Sequence, residues 1–178
     1  MILSDVSIKE KMKNGEIIID PFHDEFLQPA SYDLHLDRYF LVFNKENVGV
    51  IDVKNRCDNL MREIDIGENG FFIIHPGELV LANVKEVIGV DDKHVGRLEG
   101  KSSLGRIGLI VHATAGFLDP GNKLRMTLEL SNLSSLPIKV YEGMGISQIA
   151  FEELDRPCRR VYGDKALHRK YVGDSKVK

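Results

Sequence analysis

The sequence predicts an all-β sandwich or barrel with a short N-terminal helix. Three observations lead there. Short apolar runs alternate with polar residues at a period of two along much of the chain. The 16 glycines and six prolines fall mainly between those runs, as turns require. One segment alone, residues 4–14, carries the start and stop signals of a helix. Many short strands at close spacing are the signature of sandwiches and barrels.

Each element follows from local chemistry. Ser4 is an N-cap, Asp5 suits the positive helix end, Val6 and Met12 face inward, and Gly15 stops the helix. Ile17 to Ile19 form a strand ended by Asp20-Pro21. Gln28 to Leu36 opens on a turn and then alternates as a half-buried strand, which Tyr39 to Phe43 continues. Residues 44–69 are polar and poorly patterned and read as a hairpin and a loop, with Val48 to Val53 the best strand. Phe71 to Ile74 is a strand, His75 to Glu78 a turn, Leu79 to Val84 and Val87 to Val90 two further strands, and Asp91 to Lys93 a turn. After the stretch 99–130, Ile138 to Tyr141 is a strand, Glu142 to Gly145 a turn and Ile146 to Phe151 the last strand. No internal repeat or low-complexity linker interrupts them, so residues 1–178 read as one domain.

Composition narrows the class. At 43% hydrophobic and 29% charged residues, an ordered soluble protein is expected. No apolar run approaches a membrane span, and the first residues lack a basic region followed by an apolar one, so neither a membrane nor a secretory route is expected. The two cysteines, Cys57 and Cys158, form no framework, which fits a reducing cytoplasm. The net charge of −3 hides an asymmetry. Residues 156–178 hold eight basic side chains against two acidic ones. Such a tail fits either a solvated terminus or a segment that meets phosphates.

Residues 99–130 concentrate polar groups where a core would want Val or Ile. Lys101-Ser102-Ser103-Leu104-Gly105-Arg106 is a small-residue turn whose hydroxyls, amides and cations can cradle phosphate oxygens. It lacks the glycine spacing of a Walker loop. Ile107 to Val111 is a short apolar run, and Thr114 to Gly121 is a second tight element. His112 lies between Val111 and Ala113, and Asp119 precedes Pro120-Gly121. Glu129 sits in the alternating run Met126 to Leu130. Alternation puts Thr127 and Glu129 opposite Met126, Leu128 and Leu130, which suits a solvent-facing carboxylate. It also suits a partly desolvated one at a pocket floor, its proton affinity raised toward that of a general base.

Zinc-dependent base deaminases carry H-x-E and, later, P-C-x-x-C. His23-Asp24-Glu25 and Pro157-Cys158-Arg159-Arg160-Val161 imitate both, but the second cysteine is missing. The soft ligand set is incomplete and no zinc site is expected.

Lys101 to Leu109 and Val111 to Gly121 closely resemble the dCTP deaminase family, of the same superfamily as the trimeric dUTPases. The resemblance extends to Ile2-Leu3-Ser4-Asp5, Pro29 to Leu34, Pro76-Gly77-Glu78, Thr127 to Asn132 and Gly143-Met144 through Gln148. It implies a distorted, jelly-roll-like β fold of the dUTPase type, assembled as a homotrimer with active sites shared between subunits. It implies zinc-independent hydrolysis of dCTP to dUTP and ammonia, with no nucleic-acid polymer and no membrane as partner. Glu129 would activate the water that attacks C4 of cytosine. Ser102 and Arg106 would lie at the triphosphate and catalytic site, beside Lys101, Ser103 and Gln148. His112, Ala113, Thr114 and Ala115 would read the pyrimidine edge and leave no space for a ribose 2′-hydroxyl. Asp119 would bind the sugar on its 3′ side. Magnesium would accompany the triphosphate. Tyr162-Gly163 and Lys170-Tyr171-Val172-Gly173, with Asp174 after them, resemble a segment that closes over the nucleotide, which gives the basic tail a partner.

The chain departs from that family at three places. Lys101 stands where arginine is usual and loses the bidentate fork. Asn122-Lys123-Leu124-Arg125 replaces an aromatic residue and a glycine. Asp174 replaces a glutamine. Thr114 to Asp119 looks closer to the bifunctional subgroup that continues to dUMP and diphosphate. A dUTPase alone and a catalytically silent nucleotide-binding homologue are the other readings.

Overall fold

The computed structural model describes residues 1–46, 48–55, 59–114 and 116–167. Helix α1 (Asp5–Lys13) begins where the cap requires: the Ser4 hydroxyl accepts from the Ser7 N–H. It ends at Asn14, followed by Gly15 in the left-handed region at φ +75°. The inward residue is Ile8, fully buried, with Met12 beside the core; Val6 is 69% exposed, against expectation. Lys9, Glu10 and Lys13 occupy the positions that share Val6's face, so the buried stripe runs through Ile8 and Met12 instead.

Among the described residues twelve strands follow: β1 (Ile17–Asp20), β2 (Leu27–Gln28), β3 (Ser31–Phe43), β4 (Met61–Asp65), β5 (Phe71–Ile74), β6 (Leu79–Val90), β7 (His94–Gly100), β8 (Leu109–Ile110), β9 (Phe117–Leu118), β10 (Lys123–Asn132), β11 (Ile138–Tyr141) and β12 (Gly145–Glu153). A single helical turn, α2 (Ser102–Gly105), stands where a plain turn was expected. The pairing order is β8-β10-β6-β3-β12-β7-β9, with β1 on β6 and β2 and β4 on β3, while β11 and β5 form a separate pair. All pairings are antiparallel.

Strand β3 belongs to two layers. Its first half, with Tyr32 to His35, pairs with β12, and its second half, from Leu36, pairs with β6 and β4. The register shifts between Leu36 and Phe40, and again between Arg125 and Thr127 on β10 opposite β6. Bulges bend strands and increase their twist, and these two fold the sheet over its core. Asp37, 8% exposed inside the first bulge, takes the guanidinium of Arg125 at 2.9 Å, which ties β3 to β10 across β6.

The core fills the concave side. Tyr32, Leu34, Leu36, Phe40, Ala82, Val84, Ile88, Leu128, Leu130, Ile146, Ile149 and Phe151 are fully buried. Each large one contributes about 1.5–3 kcal/mol on burial. Tyr32 stacks on Phe22 with centroids 5.3 Å apart, and its hydroxyl accepts from the His23 N–H. Burial raises the Tyr32 phenol above its ordinary value, and this bond partly offsets it.

Several sequence expectations change. Val48 to Val53 is no strand; Val50 and Val53 are exposed, and the partner of β3 is Met61–Asp65. A β-branched run has no use as a strand without an apolar face to cover. Leu79 to Val90 is one strand rather than two, its Lys85 and Glu86 lying opposite the register shift between Arg125 and Thr127. Strand β7 was not foreseen. Gly96 and Arg97 break its apolar pattern, and Gly96 gives room to the Ile149 Cδ1, which a Cβ there would meet at 2.8 Å.

The β11–β12 turn carries a pH-sensitive tie. The Lys85 ammonium and the Asn69 N–H hold the Glu142 carboxyl below the usual carboxylate range. A depressed folded value stabilises above the unfolded value and loses that stabilisation as pH falls through the folded one. Glu142→Gln is therefore expected to lower the melting temperature at pH 7. The difference from wild type should shrink steadily below about pH 4.3, as thermal melts across pH would show.

Candidate functional site

The outer face of the β3-β12-β7-β9 layer and the loops at its rim collect the candidate residues. Strand β7 ends at Gly100, and Lys101 starts α2. Lys101, Ser102 and Ser103 line a hollow of about 350 Å³ with Ser31, Asp33 and Gln148. β12 lies between β3 and β7 and brings these distant segments together. The Ser31 hydroxyl donates to Gln148 Oε1 at 3.0 Å, and Lys101 Nζ meets Asp33 Oδ2 at 2.5 Å. Both ends of that ion pair are partly shielded, at 27% and 18% exposure.

A second hollow of about 260 Å³ runs from Lys101 and Ser102 along Leu109 to Val111 and reaches His112. A third, of about 370 Å³, continues past His112, Ala113, Thr114 and Phe117 to Arg97, Glu99 and Glu152. Shared residues make the three adjoining compartments of one rim. His112 lies against Gly116, where a Cβ would come within 2.9 Å of the imidazole. Its buried Nδ1 has no hydrogen-bond partner among the described residues, an unmet polar group in a place where one is rarely left unmet.

Glu129 is not a solvent-facing carboxylate. Met126, Leu128 and Leu130 point into the core, so Glu129 points to the opposite face, where the 112–114 loop crosses it. Its Oε2 accepts from the Ala113 N–H at 2.7 Å and the Thr114 N–H at 2.8 Å, and Oε1 accepts from the Thr114 hydroxyl at 3.4 Å. The Glu129 N–H in turn donates to the Val111 carbonyl at 3.0 Å. Charge-assisted bonds from two amides fix the carboxylate's position. Main chain and side chain together bind β10 to the loop.

Asp119 and Tyr162 form a separate group. Gly121, at φ +76°, turns the chain after Asp119-Pro120, and the Tyr162 N–H donates to the Pro120 carbonyl at 2.8 Å. A Cβ on Gly121 would lie 2.5 Å from Val161, so the C-terminal segment rests directly on this turn. The Cys158 N–H donates to the Asp92 carbonyl and anchors the same segment. The tail is thus docked at least to Tyr162 rather than frayed from its start. Asn122, 5% exposed, uses its carbonyl for the Val90 N–H and its Oδ1 for the Lys123 N–H. Asn122 is thus a polar group spent on the backbone.

Arg106 stands apart. It closes α2, donating its N–H to the Ser102 carbonyl, and its side chain is exposed outside all three hollows. Exposed apolar residues adjoin it: Ile107 at 53%, and Leu133 at 70%, whose N–H donates to the Gly108 carbonyl. Ala115, Lys170 and Asp174 lie outside the described residues.

Asp33, Ser31 and the Arg97-Glu99-Glu152 group were missed from sequence. Alternation placed residues 31 and 33 on the outer face, but only the β3-β12-β7 order brings Asp33 to Lys101.

Metal ligands can be considered from donor chemistry. Among the described residues, Glu16, Asp91 and buried His94 bring their ligand atoms within 4.8 Å of one another. The Lys11 ammonium already sits on Glu16 at 2.7 Å, and Asp91 accepts from His94 Nδ1. That cluster therefore reads as an internal ion network. Asp24 of the H-x-E imitation is paired with Lys9. At the rim, Asp33, Ser102 and Ser103 offer oxygens of the kind magnesium takes, too few to hold the ion alone but suited to one arriving on phosphates. No helix among the described residues is long and apolar enough to cross a membrane.

A family model described as dCTP deaminase-like matches residues 2–154. The chain is 44% identical over 173 residues to a protein of Tropheryma whipplei (strain Twist) named dCTP deaminase, dUMP-forming, covering 97% of this chain and 88% of that one. It is 46% identical over 173 residues to the protein of the same name from Streptomyces coelicolor, covering 97% and 91%. The crystal structure of 2′-deoxycytidine 5′-triphosphate deaminase from Agrobacterium tumefaciens superposes with a TM-score of 0.65 at 22% identity, a likeness of fold. That alignment covers 84% of this chain and 46% of the other, so the present chain spans under half the length of that structure.

Proposed function

The chain belongs to the dCTP deaminase-like family, and on that premise we propose that it hydrolyses dCTP to dUTP and ammonia and carries dUTP on to dUMP and diphosphate. The observation that carries this reading is Glu129, clasped by the Ala113 and Thr114 amides at the edge of a rim that also holds Lys101, Ser102, Ser103 and Gln148. The Ala113 and Thr114 loop lines one compartment, and the lysine and hydroxyls line the two that adjoin it through His112 and Lys101; a held carboxylate and a phosphate-binding hollow on one rim are what deamination of a triphosphate needs.

In this account water adds to C4 of cytosine. Glu129 takes a proton from that water as it adds and N3 is protonated; the remaining hydroxyl proton passes by way of Glu129 to N4, which leaves as ammonia, and the water oxygen becomes O4 of uracil. The 112–115 loop reads the pyrimidine edge through its backbone and excludes a 2′-hydroxyl. Lys101, Ser102, Ser103 and Gln148 hold phosphate oxygens, and Arg106 reaches the reacting groups. Asp119 takes the sugar, with Tyr162 beside it. Lys170 and Asp174 belong to the closing tail. Magnesium arriving on the triphosphate would offset phosphate charge, with Asp33, Ser102 and Ser103 as the oxygens nearest to it. Fixing the reactants in this way lowers the barrier entropically.

The exposed position of Arg106, beside Ile107 and Leu133, supports assembly as a homotrimer in which a neighbouring copy completes each site. Nothing in the chemistry calls for a nucleic acid, a membrane or zinc, and a cytoplasmic enzyme fits the cysteine usage. Incubation with dCTP, and separately with CTP, tests the reading. Ammonia from dCTP and none from CTP is expected. Survival of dCTP while dUTP is cleaved would leave a dUTPase instead.

A further inference from the structure

We propose that Asp91 and His94 are positioning residues for nucleotide binding: they fix one turn on which both the Asp119 turn and the entry to the C-terminal segment are mounted. This rests on reading Asp119 and Tyr162 as residues that meet the nucleotide.

Three successive carbonyls form the mount, in the turn that joins β6 to β7. The Asp91 carbonyl accepts from the Gly121 N–H at 2.9 Å, the Asp92 carbonyl from the Cys158 N–H at 2.8 Å and the Lys93 carbonyl from the Leu154 N–H at 2.8 Å. The first bond holds the Asp119-Pro120-Gly121 turn, which the Val90 N–H grips again through the Asn122 carbonyl. The other two hold the chain that leaves β12 and leads to Tyr162. The two mounted parts then meet, since the Tyr162 N–H donates to the Pro120 carbonyl and Val161 lies against Gly121. A shift of the 91–93 turn therefore displaces both at once.

A side-chain pair fixes that turn. Asp91 Oδ1 accepts from the Lys93 N–H at 2.9 Å and from His94 Nδ1 at 2.7 Å. An ionised carboxylate only accepts, so Nδ1 carries the proton. His94 is fully buried, and its Nε2 has no hydrogen-bond partner among the described residues. The polar contact its ring does make is the one to Asp91. One carboxylate oxygen thus ties the exposed tip of the turn to a ring that the surrounding protein holds still. The Asp91 N–H adds a bond to the Glu16 carbonyl at 2.9 Å, which fastens the turn to the chain between α1 and β1. Neither side chain lines any of the three hollows, so the pair acts through the mount and touches no reacting group.

Residue-resolved hydrogen exchange and calorimetric binding of a non-hydrolysable dCTP analogue test this together. Asp91→Ala is expected to speed exchange at the Gly121, Leu154 and Cys158 amides while β3 and β10 keep their protection. It should also weaken nucleotide binding at least about tenfold, since small misplacements of positioned groups are costly. His94→Leu should do the same. His94→Asn, whose amide can still donate to Asp91, should recover most of both. Should Asp91→Ala and His94→Leu fail to fold, Asp91→Asn removes the charge from the same bond and is expected to move both readouts in the same direction. Unchanged exchange at the three amides overturns the proposal. So does faster exchange spread evenly over the sheet, which would mark the pair as structural support alone. Wild-type affinity in Asp91→Ala, when Asp119→Ala binds weakly, overturns it as well. If Asp119→Ala binds like wild type while the three amides still loosen in Asp91→Ala, the mount is upheld and the nucleotide reading of the Asp119 turn is refuted.

Discussion

Glu129→Gln is expected to remove ammonia release from dCTP by about 10²- to 10⁴-fold in kcat, the usual worth of a positioned proton shuttle, with nucleotide affinity little changed. Glutamine is nearly isosteric. Its single amide oxygen can still accept from the Ala113 and Thr114 N–H groups, and its NH2 can meet the Thr114 hydroxyl in place of Oε1. The loop over β10 then stays in place and only the proton carrier is lost. A steady-state ammonia assay, paired with calorimetric binding of a non-hydrolysable dCTP analogue, separates the two effects. Activity retained in Glu129→Gln would take this residue out of the chemistry.

Phe40→Ala is expected to cost about 3–5 kcal/mol of stability, a large part of what a domain of this size possesses. Phe40 is fully buried where β3 enters its second layer, and its ring stacks on Phe72 with centroids 4.6 Å apart. Its removal leaves a void between the β3-β4-β6 layer and the β5–β11 pair, on the half of β3 that lines none of the three hollows. Denaturant unfolding should show the loss, while the surviving folded fraction keeps its catalytic constants. A change in KM for dCTP at equal folded concentration would contradict that separation.

Strand periodicity was legible wherever one face met the core and the other met water. Met126 to Leu130 is the clearest instance: alternation assigned the faces correctly and so placed Glu129 away from the core. The same rule failed at Val48 to Val53, where β-branched residues alternate with no core to cover, and at β7, where Gly96 beside Ile149 interrupts the apolar pattern. Local caps were legible too, since Ser4 bonds within its own helix. Long-range partners were not. Nothing in the spacing of Asp33 and Lys101 reveals that β12 inserts between their strands, or that Asp37 reaches Arg125 across β6. The surroundings of Glu129 were likewise undetermined by alternation alone; only the folded loop brings the Ala113 and Thr114 amides onto its carboxylate.

The most direct measurement of the central claim is the product balance from dCTP and magnesium, with ammonia, dUTP, dUMP and diphosphate followed together in one time course. The account predicts ammonia, dUMP and diphosphate rising in equal amounts. Intact dCTP in the presence of protein that still cleaves dUTP, or bound dCTP that yields none of these products, would contradict it.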